Sequence, residues 1–305
     1  MAAQLKGGPG LAAIGRDDGA LAILAIDQRA TLRRMLEGVG APSDVETMAA
    51  FKVDVTAALT PAASGVLLDP DFGLPAVAAA GSRAAGCGLL VACEPADRDS
   101  FEGEPRVRRD PARDAELVIA LGGDACKFLV QLRPDRQRRP GTPDLVAEVV
   151  DTVAAVVADC RQAGVPAVIE TLLYPLPGEG PLDPARREAL VLASAELLGG
   201  LGADLLKLEY PGSEAGCARL PELVRGPWAL LSAGADFDTF CQWVRVACEA
   251  GGASGFIAGR SFWKEAVGMA PAERRAFLGG EARRRLESCA ALLAGRARPW
   301  FEAGR

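Results

Sequence analysis

Eight short runs of apolar residues punctuate this sequence, and none alternates between apolar and polar positions. They begin at Leu21, Gly65, Gly88, Ala125, Pro166, Ala203, Trp228 and Ser254. A strand that is apolar on both sides must be covered on both sides, which is the situation of a parallel sheet packed against helices. Helical stretches follow most of the runs. The clearest places Leu145, Val146, Val149, Val150, Val153, Val156, Val157 and Cys160 at helical spacing, with Thr142 and Pro143 as expected cap and first-turn proline. Others are expected near residues 32–36, 45–59 (capped by Ser43), 112–121, 184–201 (capped by Asp183) and 237–250. Eight strand–helix units close a (β/α)8 barrel. An open doubly wound sheet is the rival, but no G-x-G-x-x-G follows any strand. The expected fold is therefore α/β, a single TIM barrel over residues 1–305. Residues 1–20 would close one end, and residues 268–305 would add C-terminal helices.

Composition then narrows the chemistry. The 305-residue chain contains no histidine. That removes Ser-His-Asp and Cys-His catalysis and His-ligated zinc together, and no metal or cofactor is called for. Proton transfer must use carboxylates, lysine, tyrosine, cysteine or water. A net charge of −6 without a long cationic segment does not suggest a nucleic-acid surface. No secretory leader and no apolar run of about 18 residues is visible, so a cytoplasmic protein is expected. The eight cysteines show no C-x-x-C pair, which fits a reducing compartment better than a disulfide framework.

Barrel active sites lie at the C-terminal ends of the strands. Polar residues collect there: Asp27, Gln28, Arg29, Asp69, Glu94, Lys127, Gln131, Glu170, Lys207, Glu209, Ser232, Gly259 and Arg260. Lysine is rare in this chain, five against a majority of arginines, so a lysine inside an apolar strand asks for a reason. Lys207 is such a residue. Burial lowers an amine's pKa and turns it into a nucleophile toward carbonyls; the plain alternative is a stem that packs while its head reaches water. Lys127 points at the same mouth, and two ammonium groups in one pocket are expected to depress at least one pKa. A lysine Schiff base with a ketone supplies the electron sink for carbon–carbon cleavage. Glu170, between the two lysines, suits general acid/base work, or a salt bridge to either lysine, or both. Glycines at Ser232-Ala233-Gly234 and Ala258-Gly259-Arg260 let backbone N–H groups approach an anion, and Arg260 adds a charged fork. Ordinary turn chemistry with a surface arginine is the alternative there. Phosphate or another tetrahedral anion is the expected ligand.

The segments Leu24-Ala25-Ile26-Asp27-Gln28-Arg29, Leu67-Leu68-Asp69-Pro70-Asp71-Phe72-Gly73-Leu74-Pro75, Lys127-Phe128-Leu129, Asp204-Leu205-Leu206-Lys207-Leu208-Glu209, Leu231-Ser232-Ala233-Gly234 and Gly259-Arg260-x-x-Trp263 occur in unbroken order over residues 21–267. Together they resemble the class I tagatose-1,6-bisphosphate aldolase family, including its sulfofructose-1-phosphate aldolase relatives. The resemblance implies a metal-free barrel that splits a phosphorylated ketose into dihydroxyacetone phosphate and an aldehyde. It implies Lys207 as Schiff-base lysine and Glu170 as acid/base, with Asp27, Gln28 and Lys127 touching substrate. It places Ser232, Gly234, Gly259 and Arg260 in the phosphate loops, and Arg29 at an anionic end of the substrate.

Residues 67–75 resemble the tagatose branch, which makes a tagatose-1,6-bisphosphate-like substrate the first expectation. Residues 202–207 and 253–268 resemble the sulfosugar branch, whose aldehyde product is sulfolactaldehyde. Residues 172–181 follow neither. Residues 97–110 read as a solvated charged loop, with a lid over the mouth as the alternative; Arg133, Arg136, Arg138 and Arg139 could focus field for an anionic substrate, and only Arg133 stands near enough to suggest direct contact. An isomerase or epimerase on the same barrel, and a non-catalytic sugar-phosphate sensor, are the competing readings. The expected partner is a small phosphorylated or sulfonated sugar, with no nucleic acid or membrane; a homo-oligomer is left open.

Overall fold

The computed structural model describes residues 10–303, so part of the expected N-terminal closing segment, residues 1–9, lies outside the described residues. Eight parallel strands close in sequence order: β1 (Leu21–Ala25), β2 (Gly65–Leu68), β3 (Gly88–Ala92), β4 (Ala125–Leu132), β5 (Ala167–Leu173), β6 (Leu205–Leu208), β7 (Trp228–Leu230) and β8 (Gly255–Ala258), with β8 pairing back onto β1. The expected barrel is the observed one. Helices lie between the strands, and Pro271–Phe277 and Arg283–Ala291 supply the extra C-terminal helices.

The apolar runs do not alternate because both faces are buried. Leu21, Ile23 and Ala25 on β1, with Leu67, Leu90, Val168, Leu205 and Ile257, fill the interior. Their neighbours Ala22, Leu24, Val66, Ile169, Leu206 and Phe256 pack outward against the helices. The short helix Gly10–Ile14 plugs the floor, where a Cβ at Gly88 would collide with the Ala13 carbonyl oxygen. Ser64 ties that plug to the sheet, its hydroxyl donating to the Ile14 carbonyl at 2.8 Å and accepting from Ala22 N–H at 3.0 Å. Among the described residues, no helix is long and apolar enough to cross a membrane.

Several local expectations are corrected. Asp44 and Asp144, one or two residues beyond the expected caps, accept the N–H of Thr47 and Ala147, while Ser43 instead bonds Glu37. The helix after β3 is shorter than expected, Ala115–Ala120, and the helix after β5 ends at Gly199. An unforeseen helix, Glu214–Leu223, follows β6 in spite of Pro221. Residues 97–110 are not simply a charged loop. They contain an antiparallel hairpin, Asp99–Phe101 against Glu104–Arg106, turned by Glu102 and Gly103 at φ 51° and 83°. Glu104 fastens it by accepting from Arg136 Nε at 2.9 Å and Tyr174 Oη at 2.9 Å.

The strands β4 and β5 run past their neighbours and stay paired to Leu132 and Leu173, raising one wall of the mouth. Arg133 crowns that wall. Its buried guanidinium donates to Tyr174 O at 3.1 Å and Asp135 Oδ1 at 2.8 Å and pairs with Glu179. It is a brace between two loops, not the substrate contact the sequence suggested.

Candidate active site

The two-residue period that fills the barrel interior also delivers the charged layer above it. Continuing Ile23 and Ala25 leads to Asp27, Leu67 to Asp69, Ala92 to Glu94, Ala125 to Lys127, Val168 to Glu170, and Leu205 to Lys207. The sheet register sets Glu170 directly beside Lys207 on the adjoining strand. All six charged side chains are buried.

Lys127 is the hub. Its Nζ lies 2.9 Å from Asp27 Oδ2, 2.8 Å from Glu94 Oε1 and 2.8 Å from Glu170 Oε2. An ammonium has three N–H donors, and three carboxylates take them. Burial works against the charge, but Asp27, Glu170 and Glu94 outweigh it and hold the Lys127 pKa well above its ordinary value. At least one lowered pKa was expected of the two lysines; at Lys127 the direction is upward. Two like charges are there, but carboxylates surround them. The same arrangement pulls Asp27 and Glu170 below the usual carboxylate range: desolvation would raise both, and Lys127 with Lys207 overcomes it.

Lys207 is placed differently. It is 3% exposed, and among the described residues Glu170 is its one ion-pair partner, at 2.9 Å. Two of its donor positions are thus uncommitted where Lys127 has none. Gln28 donates to Asp27 Oδ1 at 3.1 Å, while its own buried Oε1 has no partner. Arg29 pairs with Asp71 at 2.7 Å and approaches Glu94 at 3.4 Å.

The other expected site residues gather across the mouth, after β7 and β8. Ala233 and Gly234 both turn through positive φ, 49° and 84°. The Arg260 guanidinium lies over Gly234, where a Cβ would stand 3.3 Å from Cζ, and has no carboxylate partner among the described residues. Ser261 Oγ donates to Ala235 O at 2.7 Å and Lys264 Nζ to Gly234 O at 3.0 Å, so both carbonyls of the loop already have donors. Gly259 sits so close to β1 that a Cβ would collide with the Ala25 carbonyl, to which Trp263 Nε1 also donates at 3.1 Å. Ser232 is buried at the end of β7, beside the strand that carries Lys207.

The family description "DeoC/LacD family aldolase" matches residues 21–265, the span that contains all of these groups. The chain belongs to the DeoC/LacD aldolase family. As a member it is an aldolase, and so a lyase. A tagatose 1,6-diphosphate aldolase of Listeria monocytogenes is 30% identical over 85% of this chain and 81% of its own length. One from Enterococcus faecalis is 27% identical over 82% of each. Solved structures share the fold at lower identity. A Corynebacterium glutamicum protein superimposes with a TM-score of 0.66 at 21% identity, covering 92% of this chain and 88% of its own. A Schiff-base-forming fructose-1,6-bisphosphate aldolase does so with 0.62 at 18%, covering 92% and 96%.

Two groups of this aldolase's mouth escaped the candidate set. Glu94 stood among the strand-end polar residues, but nothing in one sequence says that it turns toward Lys127. Lys52 had a readable signal. It lies on the face of helix Val45–Leu59 that carries Met48, Val55 and Leu59, and it reaches in to pair with Asp69, both side chains completely buried.

Proposed function

We propose that this aldolase works through a Schiff base on Lys207, cleaving a phosphorylated ketose to dihydroxyacetone phosphate and an aldehyde. The observation that carries the reading is the contrast between the two buried lysines. Lys127 spends every donor on carboxylates, while Lys207 is tied to Glu170 alone. One lysine is a fixed charge and the other is a reagent.

The steps follow from the contacts. Lys207 gives a proton to an adjacent base and its amine adds to the ketose C2 carbonyl. Loss of water from the carbinolamine leaves the protonated imine. Glu170, a carboxylate at neutral pH, takes the C4 hydroxyl proton; the C3–C4 bond breaks, its electron pair passes into the imine as an enamine, and the aldehyde leaves. Protonation at C3 and hydrolysis release dihydroxyacetone phosphate and restore the amine. Lys127 holds Glu170 and Asp27 in place and keeps them ionised, so it acts on substrate hydroxyls largely through them. Gln28, with an unpaired buried oxygen, suits a hydroxyl donor of the sugar. The C1 phosphate would sit at Ser232, Gly234, Gly259 and Arg260, and Arg29 would face the distal end.

A tagatose-1,6-bisphosphate-like substrate is favoured, since curated relatives at about this similarity bear that name. Turnover of tagatose bisphosphate, fructose bisphosphate and sulfofructose phosphate, compared side by side with product analysis, tests the reading. Two three-carbon products from a bisphosphate, without need of added metal, support it. A product of unchanged mass would show an isomerase.

A further inference from the structure

The ion pairs of the mouth form one continuous series. From Lys207 it passes through Glu170, Lys127, Glu94, Arg29 and Asp71 to Arg113, positive and negative in turn. It runs from β6 through β5 and β4 to the end of β3, and then through Arg29, which comes from the segment after β1 but reaches Glu94 and Asp71 at the ends of β3 and β2, away from the anion loops after β7 and β8. Its last member, Arg113, comes from the segment between the 99–106 hairpin and helix Ala115–Ala120.

We propose that Arg113 joins Arg29 in holding the distal tetrahedral anion of the substrate, and that Asp71 competes with this anion for the two guanidiniums. The inference rests on the Schiff-base reading above. With C2 bonded to Lys207 and the C1 phosphate at the β7 and β8 loops, the rest of the sugar extends across the mouth to the opposite rim. Two guanidiniums wait there with a single carboxylate shared between them. Asp71 Oδ2 accepts from Arg29 Nη1 at 2.7 Å, and Oδ1 accepts from Arg113 Nη2. Arg113 Nη1 is buried and has no acceptor at all. A carboxylate has only two oxygens, and both are used. A phosphoryl or sulfonate group brings three terminal oxygens and so has one for the orphaned Nη1. The remaining neighbours do not fill that role: Asp110 stands 3.6 Å from Arg113 Nε, and Glu94 is committed to Lys127. Asp71 is the solvent-facing member of the group, its side chain 26% exposed against 13% for Arg29 and 20% for Arg113. The two arginines hold the Asp71 carboxyl below its ordinary value, against the pull of burial, so at neutral pH it is a charged competitor.

The test runs the reaction in the condensation direction. Dihydroxyacetone phosphate is offered with glyceraldehyde 3-phosphate, with 3-sulfolactaldehyde or with uncharged glyceraldehyde, and kcat/KM is compared. The parent enzyme prefers an anionic aldehyde, and the better of the two says whether the seat takes phosphate or sulfonate. Arg113→Ala reduces that preference by roughly 10- to 100-fold, through KM, the scale of a lost charge-assisted hydrogen bond. Arg113→Lys restores part of it. Asp71→Asn, which removes the competitor, lowers KM for the anionic aldehyde. A parent indifferent to the aldehyde's charge overturns the proposal. So does an Arg113→Ala enzyme that loses equally on all three aldehydes, or a preference that follows Arg98, which pairs with Gln131 on the same rim, instead of Arg113. Covalent trapping of dihydroxyacetone phosphate on Lys207 of the parent is measured alongside: its absence sinks the Schiff-base reading, whereas its presence with no anion preference sinks only the distal seat.

Discussion

Glu170 Oε2 sits between two ammonium groups, 2.8 Å from Lys127 and 2.9 Å from Lys207. That position decides what the carboxylate can do. It is ionised at neutral pH, so its first act toward a substrate hydroxyl is to accept a proton. Glu170→Gln keeps the shape and removes the base, and kcat is expected to fall by about 10²- to 10⁴-fold, the usual worth of a positioned acid/base group. An enzyme that keeps more than a tenth of its kcat after this change would make Glu170 merely a salt-bridge partner. At this scale the sequence was partly readable. Rarity marked Lys207, and its place in an apolar strand marked it as buried. Nothing along one strand could show that Lys127 would meet three carboxylates, because Asp27, Glu94 and Glu170 come from three other strand ends and meet it only when the barrel closes.

The buried pair of Lys52 and Asp69 shows how an element is held to the barrel. Lys52 comes from helix Val45–Leu59 and Asp69 from the end of β2, where Asp69 Oδ1 also accepts the N–H of Phe72 at 3.1 Å and of Gly73 at 3.2 Å. Burial pushes the Lys52 ammonium below its ordinary value in spite of Asp69, and its Nζ lies 4.6 Å above the Phe72 ring. Lys52→Met leaves Asp69 buried without its cation and should cost about 3–5 kcal/mol in urea unfolding. Lys52→Met with Asp69→Asn removes both charges but keeps an acceptor for the two N–H groups, and should recover most of that loss. A neutral single variant, or a double variant no better than the single, would show that the pair does not fasten the helix. The existence and C-terminal stop of an element were legible where apolar periodicity was strong, as in Leu145–Ala163 with Gly164 after it. Boundaries were lost where capping or turn geometry decided them. The 99–106 hairpin has little apolar surface and is held by Glu104, Arg136 and Tyr174, groups remote in sequence.

Over the whole molecule the charged layer makes stability depend on acid. Asp27 and Glu170 are held below their ordinary values of 3.8 and 4.5, so the unfolded chain binds more protons as pH falls through that range. Their contribution is complete above about pH 5 and is lost as pH drops toward their lowered folded values. Lys127 works in the opposite sense: raised above 10.5, it contributes fully at lower pH and fails only in strong alkali. The urea midpoint should therefore stay level through neutrality and fall below about pH 4.5, and Asp27→Asn should flatten that fall. A midpoint unchanged from pH 6 to pH 3 would contradict the electrostatic picture. The fold was the most legible level, since eight doubly buried strands leave few architectures. The distribution of roles within the mouth was the least, because it depends on which charges the closed ring brings face to face.

The central claim is that Lys207, and not Lys127, carries the covalent chemistry. Incubation with dihydroxyacetone phosphate followed by borohydride reduction, with the modified peptide located by mass spectrometry, tests it directly. A reduced adduct on Lys207, absent from Lys207→Ala, is the expected result. An adduct on Lys127, or turnover of a ketose bisphosphate by an enzyme whose Lys207 stays unmodified, would contradict it.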